Sequence, residues 1–136
     1  METREEISSF EAHTQTIRAI DFNTDQHLMV TASFDKSIGV WDTKQLDKPQ
    51  LVLRMEGHVG QISGVLFFGY NIISTSHDET IRVWDICRFP ISDRDYTCLC
   101  KITAPNSPLT SLERTHDGSK LVINTDVNKV IHNWKF

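Results

Sequence analysis

Two sets of polar side chains recur in the sequence at nearly the same spacing and could carry acyl-transfer chemistry. Each set joins a histidine, a hydroxyl and an aspartate. The sets are His13, Thr31 and Asp35, and His58, Ser74 and Asp78. When an imidazole takes the proton of a hydroxyl and a carboxylate orients the ring, the hydroxyl oxygen can attack an acyl carbon. The residue types alone therefore permit nucleophilic catalysis.

A repeated structural role explains the pattern better than catalysis does. The constellation occurs twice, each time with a tryptophan six residues after the aspartate, at Trp41 and Trp84. An enzyme needs one active site, and the sequence has no Gly-x-Ser-x-Gly nucleophile elbow. In the first set, moreover, the hydroxyl is that of a threonine. We therefore predict that the chain is not an enzyme and has no catalytic residues.

Cys98 and Cys100 are further candidates for chemistry, as two ligands of a metal ion. Residues two apart on a strand simply share one face of the sheet, and no second cysteine pair follows at the spacing of a zinc site. We interpret both as ordinary strand cysteines. His77 is a third candidate ligand, but it falls in a predicted turn, where a solvated or contact role is commoner. Because glycine-rich phosphate loops are absent too, the sequence predicts no metal site and no cofactor.

The elements that position these residues form a repeat. Tryptophans at positions 41, 84 and 134 mark periods of 43 and 50 residues, which is typical of repeat architectures. In the first period, four short apolar or alternating runs lie at residues 16–22, 28–33, 38–41 and 50–55, separated by turn residues. A polar insertion at residues 88–95 lengthens the second period and is predicted to be a loop. No helical apolar face extends over about 11 residues, so an all-β fold is predicted.

The first strand of each good repeat breaks the strict alternation of a β-strand. Its apolar residues are spaced by three and then by two positions: Ile17, Ile20 and Phe22, and Ile62, Val65 and Phe67. One extra residue in the strand produces this spacing, so we predict a β-bulge at Arg18 and another at Ser63.

The second repeat resembles a WD repeat. It has Gly57-His58 at its start, Asp78 in a tight turn and Trp84-Asp85 at the end of a strand. The first repeat follows the same pattern, with Ala12 in place of the glycine before its histidine. Two good repeats in tandem make the resemblance specific.

The third repeat is degenerate. It has no Gly-His pair, places Asn124 and Asn128 at the hydroxyl and aspartate positions, and ends on Trp134-Lys135. The resemblance implies an all-β fold of three four-stranded antiparallel WD-type β-propeller blades in an incomplete ring. The domain is expected to span residues 1–136, with repeats at about 7–42, 50–85 and 96–135.

The resemblance also implies roles for individual residues. In a good blade of this family, the histidine, hydroxyl, aspartate and tryptophan form one buried hydrogen-bonded tetrad. Carried over, the structural tetrads are His13, Thr31, Asp35 and Trp41, and His58, Ser74, Asp78 and Trp84. The residue before the turn aspartate and the residue at the first-strand bulge often line the partner-binding rim. Carried over, the expected partner-binding residues are Arg18, Phe34, Ser63 and His77, with Thr110 and Val127 in the third repeat.

Composition narrows the class of partner. A net charge of −4 provides no basic surface for nucleic acid, and no apolar run approaches the ~20 residues of a membrane helix. The resemblance to WD repeats implies a non-catalytic scaffold that binds a partner peptide or protein through the rim of the blades. Cys87, Cys98 and Cys100 lie in one stretch and form no disulfide framework. Because the N-terminus is polar and lacks a secretory signal, we predict an intracellular protein, cytoplasmic or nuclear.

Three blades are too few to close a propeller, which has about four to eight. We therefore expect either a truncated fragment or isoform of a longer WD-repeat protein with no independent function, or a ring completed by another propeller chain. A homodimer would also complete a ring if two copies exchanged the N-terminal strand predicted at residues 7–10. The sequence leaves these alternatives open.

Overall fold

The computed structural model of the chain describes residues 5–6, 9–86, 97–103, 108–115, 120–125 and 131–135. These residues form eleven β-strands and no helix, which confirms the predicted all-β fold. The strands build three antiparallel sheets, here called blades 1, 2 and 3. In each blade, neighbouring strands follow one another along the chain.

Blades 1 and 2 have four strands each, and the described part of blade 3 has three. Blade 1 consists of β1 (Ile17–Asn23), β2 (Leu28–Ser33), β3 (Ser37–Asp42) and β4 (Gln50–Glu56). Blade 2 consists of β5 (Ile62–Phe68), β6 (Asn71–Ser76), β7 (Thr80–Asp85) and β8 (Thr97–Thr103). Blade 3 contains β9 (Leu109–Arg114), β10 (Lys120–Thr125) and β11 (Ile131–Lys135).

The strands of blade 1 lie close to the runs predicted from the sequence. The predicted run 28–33 coincides with β2, and the ends of the other three runs lie within one residue of the strand ends. Ser9 and Phe10, the described part of the outer strand predicted at residues 7–10, belong to no strand. The insertion predicted at 88–95 lies outside the described residues.

Tight turns join the second and third strands of blades 1 and 2. The residue after each turn aspartate has a left-handed backbone, with φ of 73° at Lys36 and 68° at Glu79. A residue in this conformation after a type I turn lets the chain reverse within three residues. Each turn therefore ends β2 or β6 and starts the next strand at once.

Both predicted β-bulges are confirmed. The pairing of β1 with β2 shifts register between Ile17 and Ala19, which leaves Arg18 as the extra residue. The pairing of β5 with β6 shifts between Ile62 and Gly64, which leaves Ser63. In blade 3, a similar shift in the pairing of β10 with β9 falls opposite Thr110.

The core between blades 1 and 2 is built from two unlike faces. Blade 1 contributes an aliphatic face, with Leu28, Val30, Ala32, Ile38, Val40, Leu53 and Met55 buried. Blade 2 contributes the face that carries its tryptophan, here called the tetrad face, with Ile62, Val65, Phe67, Ile72 and Trp84 buried. The aliphatic face of blade 2 in turn packs against Leu109 and Leu112 of β9. Blade 1 thus covers the tetrad face of blade 2.

Asp21 links the innermost strands of all three blades. Its Oδ2 accepts a hydrogen bond of 2.8 Å from the backbone N–H of Phe67 on β5. Its Oδ1 accepts one of 3.2 Å from Arg114 on β9, whose guanidinium also donates to the carbonyl of Phe67. These polar contacts hold β1, β5 and β9 side by side and add to the packing between the blades.

Candidate functional site

The second predicted tetrad forms one continuous hydrogen-bonded network in blade 2. The indole Nε1–H of Trp84, on β7, donates to Ser74 Oγ on β6 over 2.9 Å. Ser74 Oγ lies 2.7 Å from Nε2 of His58, and Nδ1 of the same ring lies 3.0 Å from Asp78 Oδ2 in the turn. The N–H of Trp84 can only donate, so the serine hydroxyl donates its own proton to His58 Nε2. His58 therefore carries its proton on Nδ1 and donates it to the aspartate.

Blade 1 repeats this geometry with a threonine. Trp41 Nε1 donates to Thr31 Oγ1 over 2.9 Å, and that oxygen lies 2.7 Å from His13 Nε2. His13 Nδ1 lies 3.0 Å from Asp35 Oδ2. The methyl group of the threonine leaves these distances unchanged, so either hydroxyl residue can serve the network.

Burial sets the protonation states of the network. It lowers the pKa of His58 below the ordinary value of 6.5, although the hydrogen bond and the charge of Asp78 act in the opposite direction. It lowers the pKa of His13 in the same way, against Asp35 and with a contribution from Arg54. Both histidines are therefore neutral at pH 7, as the direction of the hydrogen bonds requires.

The pKa values of the two network aspartates are lowered, whereas burial alone would raise them. Burial would raise the pKa of Asp78, but hydrogen bonds from Thr80, Val59 and His58 outweigh it and lower the pKa to about 2. For Asp35, the hydroxyl and backbone N–H of Ser37 and other contacts outweigh burial and lower its pKa to about 2 as well. Each turn thus closes around an ionised carboxylate.

A fifth member of each network was missed in the sequence. Ser37 donates its backbone N–H and its hydroxyl to Asp35 Oδ1 over 2.9 and 2.6 Å. Thr80 stands at the same position in blade 2 and makes the same two contacts with Asp78. A hydroxyl residue two positions after the turn aspartate is the signal that could have identified both.

An arginine that the sequence analysis also missed lies over the first network. Arg54 of β4 donates to the carbonyl of Ala12 over 2.9 Å and to Ser37 Oγ over 3.0 Å. In blade 2 the arginine comes from a different strand: Arg82 of β7 lies with its guanidinium carbon 5.8 Å from the centroid of the Trp84 ring. Arg54 pairs with Gly39 across β3 and β4, and Arg82 occupies the position of that glycine. Lys101 of β8 pairs with Arg82 and occupies the position of Arg54, so blade 2 carries a positive charge at both of these positions.

The geometry of the networks does not suit a nucleophile. Ser74 and Thr31 are buried, with 0% and 2% of their surface exposed. Each hydroxyl oxygen already accepts the indole hydrogen, and its own proton is given to the histidine. A substrate would find no open approach to either oxygen, and the networks act instead as internal cross-links that fix the turns.

The structure brings two of the predicted contact residues together at one end of the blades, here called the rim. Phe34 and His77 precede the turn aspartates of blades 1 and 2, and their ring centroids lie 5.9 Å apart at an interplanar angle of 46°. Arg18 lies at the bulge of β1, near the same end. Ser63 is buried, and its hydroxyl bonds to that of Thr75 over 3.1 Å. Thr110 lies at the bulge of β9, and Val127 is outside the described residues.

Other candidate chemistry is sparse in the part of the chain that the structure describes. Cys98 and Cys100 lie on β8 as free cysteines, the first half-buried and the second exposed. Within the described ranges, no group of three or more His, Cys, Asp or Glu side chains could hold a metal ion. The same ranges contain no helix that is long and apolar enough to cross a membrane. The third-repeat positions 124, 128 and 134 are outside the residues whose side chains are described.

Comparison with known proteins matches both good repeats to one family. Residues 4–42 and 49–85 match the family model described as WD domain, G-beta repeat. F-box/WD repeat-containing protein sel-10 of Caenorhabditis elegans is 29% identical over 92 residues, which cover 68% of this chain and 14% of that protein. WD repeat-containing protein 37 of Homo sapiens is 32% identical over 97 residues, which cover 68% of this chain and 19% of that protein.

A third relative extends the comparison. Mitochondrial division protein 1 of Neurospora crassa is 33% identical over 82 residues, which cover 60% of this chain and 12% of that protein. The chain spans less than a fifth of the length of each of these relatives. The matched segments make up more than half of the chain and contain both hydrogen-bonded tetrads. The chain therefore belongs to the WD-repeat family, whose members are protein-interaction scaffolds of the β-propeller type and are generally not catalysts.

Proposed function

We propose that this chain is a non-catalytic scaffold that binds a partner protein or peptide through the rim, at Phe34, His77 and Arg18. The observation that carries the proposal is the contact between the rings of Phe34 and His77 across the junction of blades 1 and 2. Two residues at the same repeat position thus form one surface. Rigid aromatic side chains of this kind are common anchors of protein interfaces.

The turns beneath the two rings are fixed by the backbone. Phe34 N–H donates to the carbonyl of Thr16 over 2.9 Å, and His77 N–H donates to that of Gln61 over 2.9 Å. The next residue in each turn is a tetrad aspartate. Because the surface is ordered before binding, a partner gains contact area at a small cost in conformational entropy.

Arg18 supports the proposal because its side chain is not held by contacts within the described residues. Within the described residues its guanidinium makes no recorded hydrogen bond or ion pair, and it borders a cleft between the innermost strands. A β-bulge changes the direction in which its extra residue presents the side chain, so we expect Arg18 to reach a partner at the rim. Ser63 stays a prediction only, since a partner would have to break its bond to Thr75 to reach it.

The cysteines support the cellular setting of this scaffold. Cys98 and Cys100 are free thiols, and thiols persist in reducing compartments. We accordingly place the scaffold inside the cell, in the cytoplasm or nucleus, where its partner must also occur.

A photo-crosslinking residue at position 34 tests the proposal and identifies the partner. Tyr70 is the matched control, because it is an exposed aromatic at the other end of β6 from His77. Cross-linking in cells should yield a specific partner from position 34 and none from position 70. With that partner purified, Phe34→Ala and His77→Ala should each weaken binding about tenfold or more, while Tyr70→Ala should not. Unchanged affinity in both rim variants would remove these residues from the site.

A further inference from the structure

Val59 lies on the rim beside the turn of blade 2 and is 72% exposed, although its backbone is held in place. It directly follows the tetrad histidine, and its N–H donates to Asp78 Oδ2 over 2.9 Å. The next residue, Gly60, packs so closely on the same turn that a Cβ there would lie 2.8 Å from the Asp78 backbone nitrogen. A single exposed valine is ordinary on a protein surface, but this one is carried by a backbone that the network and the turn fix.

Glu79 adds a negative charge to the same turn. It follows Asp78 with a left-handed backbone, and its side chain forms no salt bridge with a described residue. Asp78 is itself ionised, because the hydrogen bonds that it accepts lower its pKa to about 2. The cations of β7 and β8, Arg82 and Lys101, lie further from the turn, level with Ser74 in the strand ladder. The turn of blade 2 therefore combines an aliphatic side chain with negative charge.

Blade 1 has different chemistry at both positions. Thr14 stands at the position of Val59, and its N–H likewise donates to the turn aspartate, Asp35 Oδ2, over 3.1 Å. Lys36 stands at the position of Glu79, with the same left-handed backbone. The two turns share their backbone geometry, so of these two turns only that of blade 2 joins an aliphatic side chain to an acidic one.

We propose that Val59 and Glu79 form a specificity subsite of the rim, which takes an apolar side chain of the partner with a lysine or arginine close beside it. The inference rests on the proposed function, because Glu79 lies two positions after His77 and the subsite adjoins the ring pair. The apolar side chain removes the surface of Val59 from water, and the basic group complements the charge of the turn. An acidic residue in place of the basic one would meet like charge, so Glu79 selects against it.

A library of random peptides displayed on phage and selected against the full 136-residue chain tests the proposal. Enriched sequences should share a leucine, isoleucine, valine or methionine with a lysine or arginine close beside it. An enriched peptide that carries a fluorophore then reports affinity by fluorescence anisotropy. Phe34→Ala should weaken its binding, which would place the peptide at the rim.

Two further variants address the subsite itself. Val59→Thr and Glu79→Lys introduce the residues that blade 1 carries at the same positions, so both variants should keep the turn. Each should weaken binding of the enriched peptide about fivefold. In about 0.5 M salt the effect of Glu79→Lys should nearly vanish, because salt screens exposed charges, whereas that of Val59→Thr should persist.

Leu99→Thr and Asp47→Lys are the matched controls. Both residues are exposed, and they lie away from the rim, on β8 and in the loop between β3 and β4. Neither control should change the affinity for the peptide. Circular dichroism should show the same β-sheet spectrum for all of these variants, so that weaker binding is not loss of the fold.

The outcomes separate this inference from the proposed function. Peptides that Phe34→Ala weakens but Val59→Thr and Glu79→Lys do not would overturn the subsite and leave the rim proposal standing. Peptides that Val59→Thr weakens but Phe34→Ala does not would count against the ring pair and so against the proposed function. Enrichment without the paired apolar and basic residues, an equal loss in a control variant, or no enriched sequence at all would also overturn the subsite.

Discussion

Asp78→Ala is the substitution that tests the role of the tetrads most directly. The carboxylate accepts hydrogen bonds from the backbone N–H groups of Val59 and Thr80, from the Thr80 hydroxyl and from His58 Nδ1. All four are removed together when the side chain is cut back to alanine. His58 is itself buried, so it cannot turn to bulk water for a new partner.

The loss in the free energy of unfolding depends on which hydrogen-bond donors remain unpaired when the Asp78 carboxylate is removed. The N–H of Val59 is exposed and can bond to water, so it contributes little to the cost. The Thr80 hydroxyl lies 3.2 Å from His58 Nδ1 and offers a weaker substitute acceptor. An unpaired buried donor costs about 1–3 kcal/mol, and a bond to a charged group contributes somewhat more than a neutral one. We therefore expect Asp78→Ala to lower the free energy of unfolding by about 2–4 kcal/mol.

Thermal and urea unfolding, followed by tryptophan fluorescence and circular dichroism, measure this loss. Asp47→Ala is the control, because Asp47 is exposed in the loop between β3 and β4, where substitutions usually change stability by less than about 0.5 kcal/mol. Asp78→Ala should melt on the order of 10 °C below the wild type. If the two alanine variants melt together, the tetrad is not a stabilising cross-link and the reasoning fails.

Three further predictions concern the same framework. Acid should act in two stages. Burial holds the pKa of both network histidines below 6.5, so the unfolded chain takes up those protons first and the free energy of unfolding falls as the pH drops below about 6.5. The network aspartates have a pKa of about 2 in place of 3.8, so the free energy of unfolding should fall again between about pH 4 and pH 2. If urea titrations give the same free energy of unfolding from about pH 7 to pH 3, both stages are contradicted. Arg54→Lys should cost about 1 kcal/mol in the same titrations, because a single ammonium cannot match the fork that reaches Ala12 and Ser37. A double-mutant cycle of Asp21→Ala and Arg114→Ala should give a coupling energy of about 0.5–1 kcal/mol, and additive effects would show that their contact contributes nothing.

The blades could be predicted from the sequence because they depend on short-range patterns, and the members of the two networks were expected from the resemblance to the WD repeat. A strand of about six residues, a turn and an aspartate six residues before a tryptophan all lie within one repeat. The bulges at Arg18 and Ser63 were also predictable, since an extra residue in a strand shifts the apolar spacing by one. The predicted ends of the blade 1 strands differ from the observed ends by one residue at most, because a strand gains or loses its last residue with a single pair of the hydrogen-bonded ladder.

Contacts between repeats were beyond prediction from the same patterns. Asp21 and Arg114 lie 93 positions apart, and neither stands at a position with a repeat signal. Arg54 was missed for a related reason: its contacts reach Ala12 and Ser37, which lie 42 and 17 positions away in the chain. Contacts of this kind appear only when the side chains are placed in three dimensions.

The exposure of the tetrad face could not be predicted either, because burial of a repeated face depends on what lies next to it. Ile20 and Val65 are interchangeable by residue type and by position in their strands. One is 53% exposed and the other 4%. Apolar periodicity shows which side of a strand is able to pack, whereas a neighbouring sheet decides whether it does.

The two repeats also differ in a way that bears on function. The groups that build each turn are the same or chemically alike: aspartate, histidine, tryptophan and a hydroxyl two residues after the aspartate. The residues that flank these turns on the rim are unlike, with Phe34 and Lys36 in blade 1 against His77 and Glu79 in blade 2. A turn closed by its own internal network does not need the flanking side chains for stability, so their chemistry is free to suit a partner. Side chains that lie on turns held by other residues are the ones we expect a scaffold to use for recognition, and we propose Phe34 and His77 for that role.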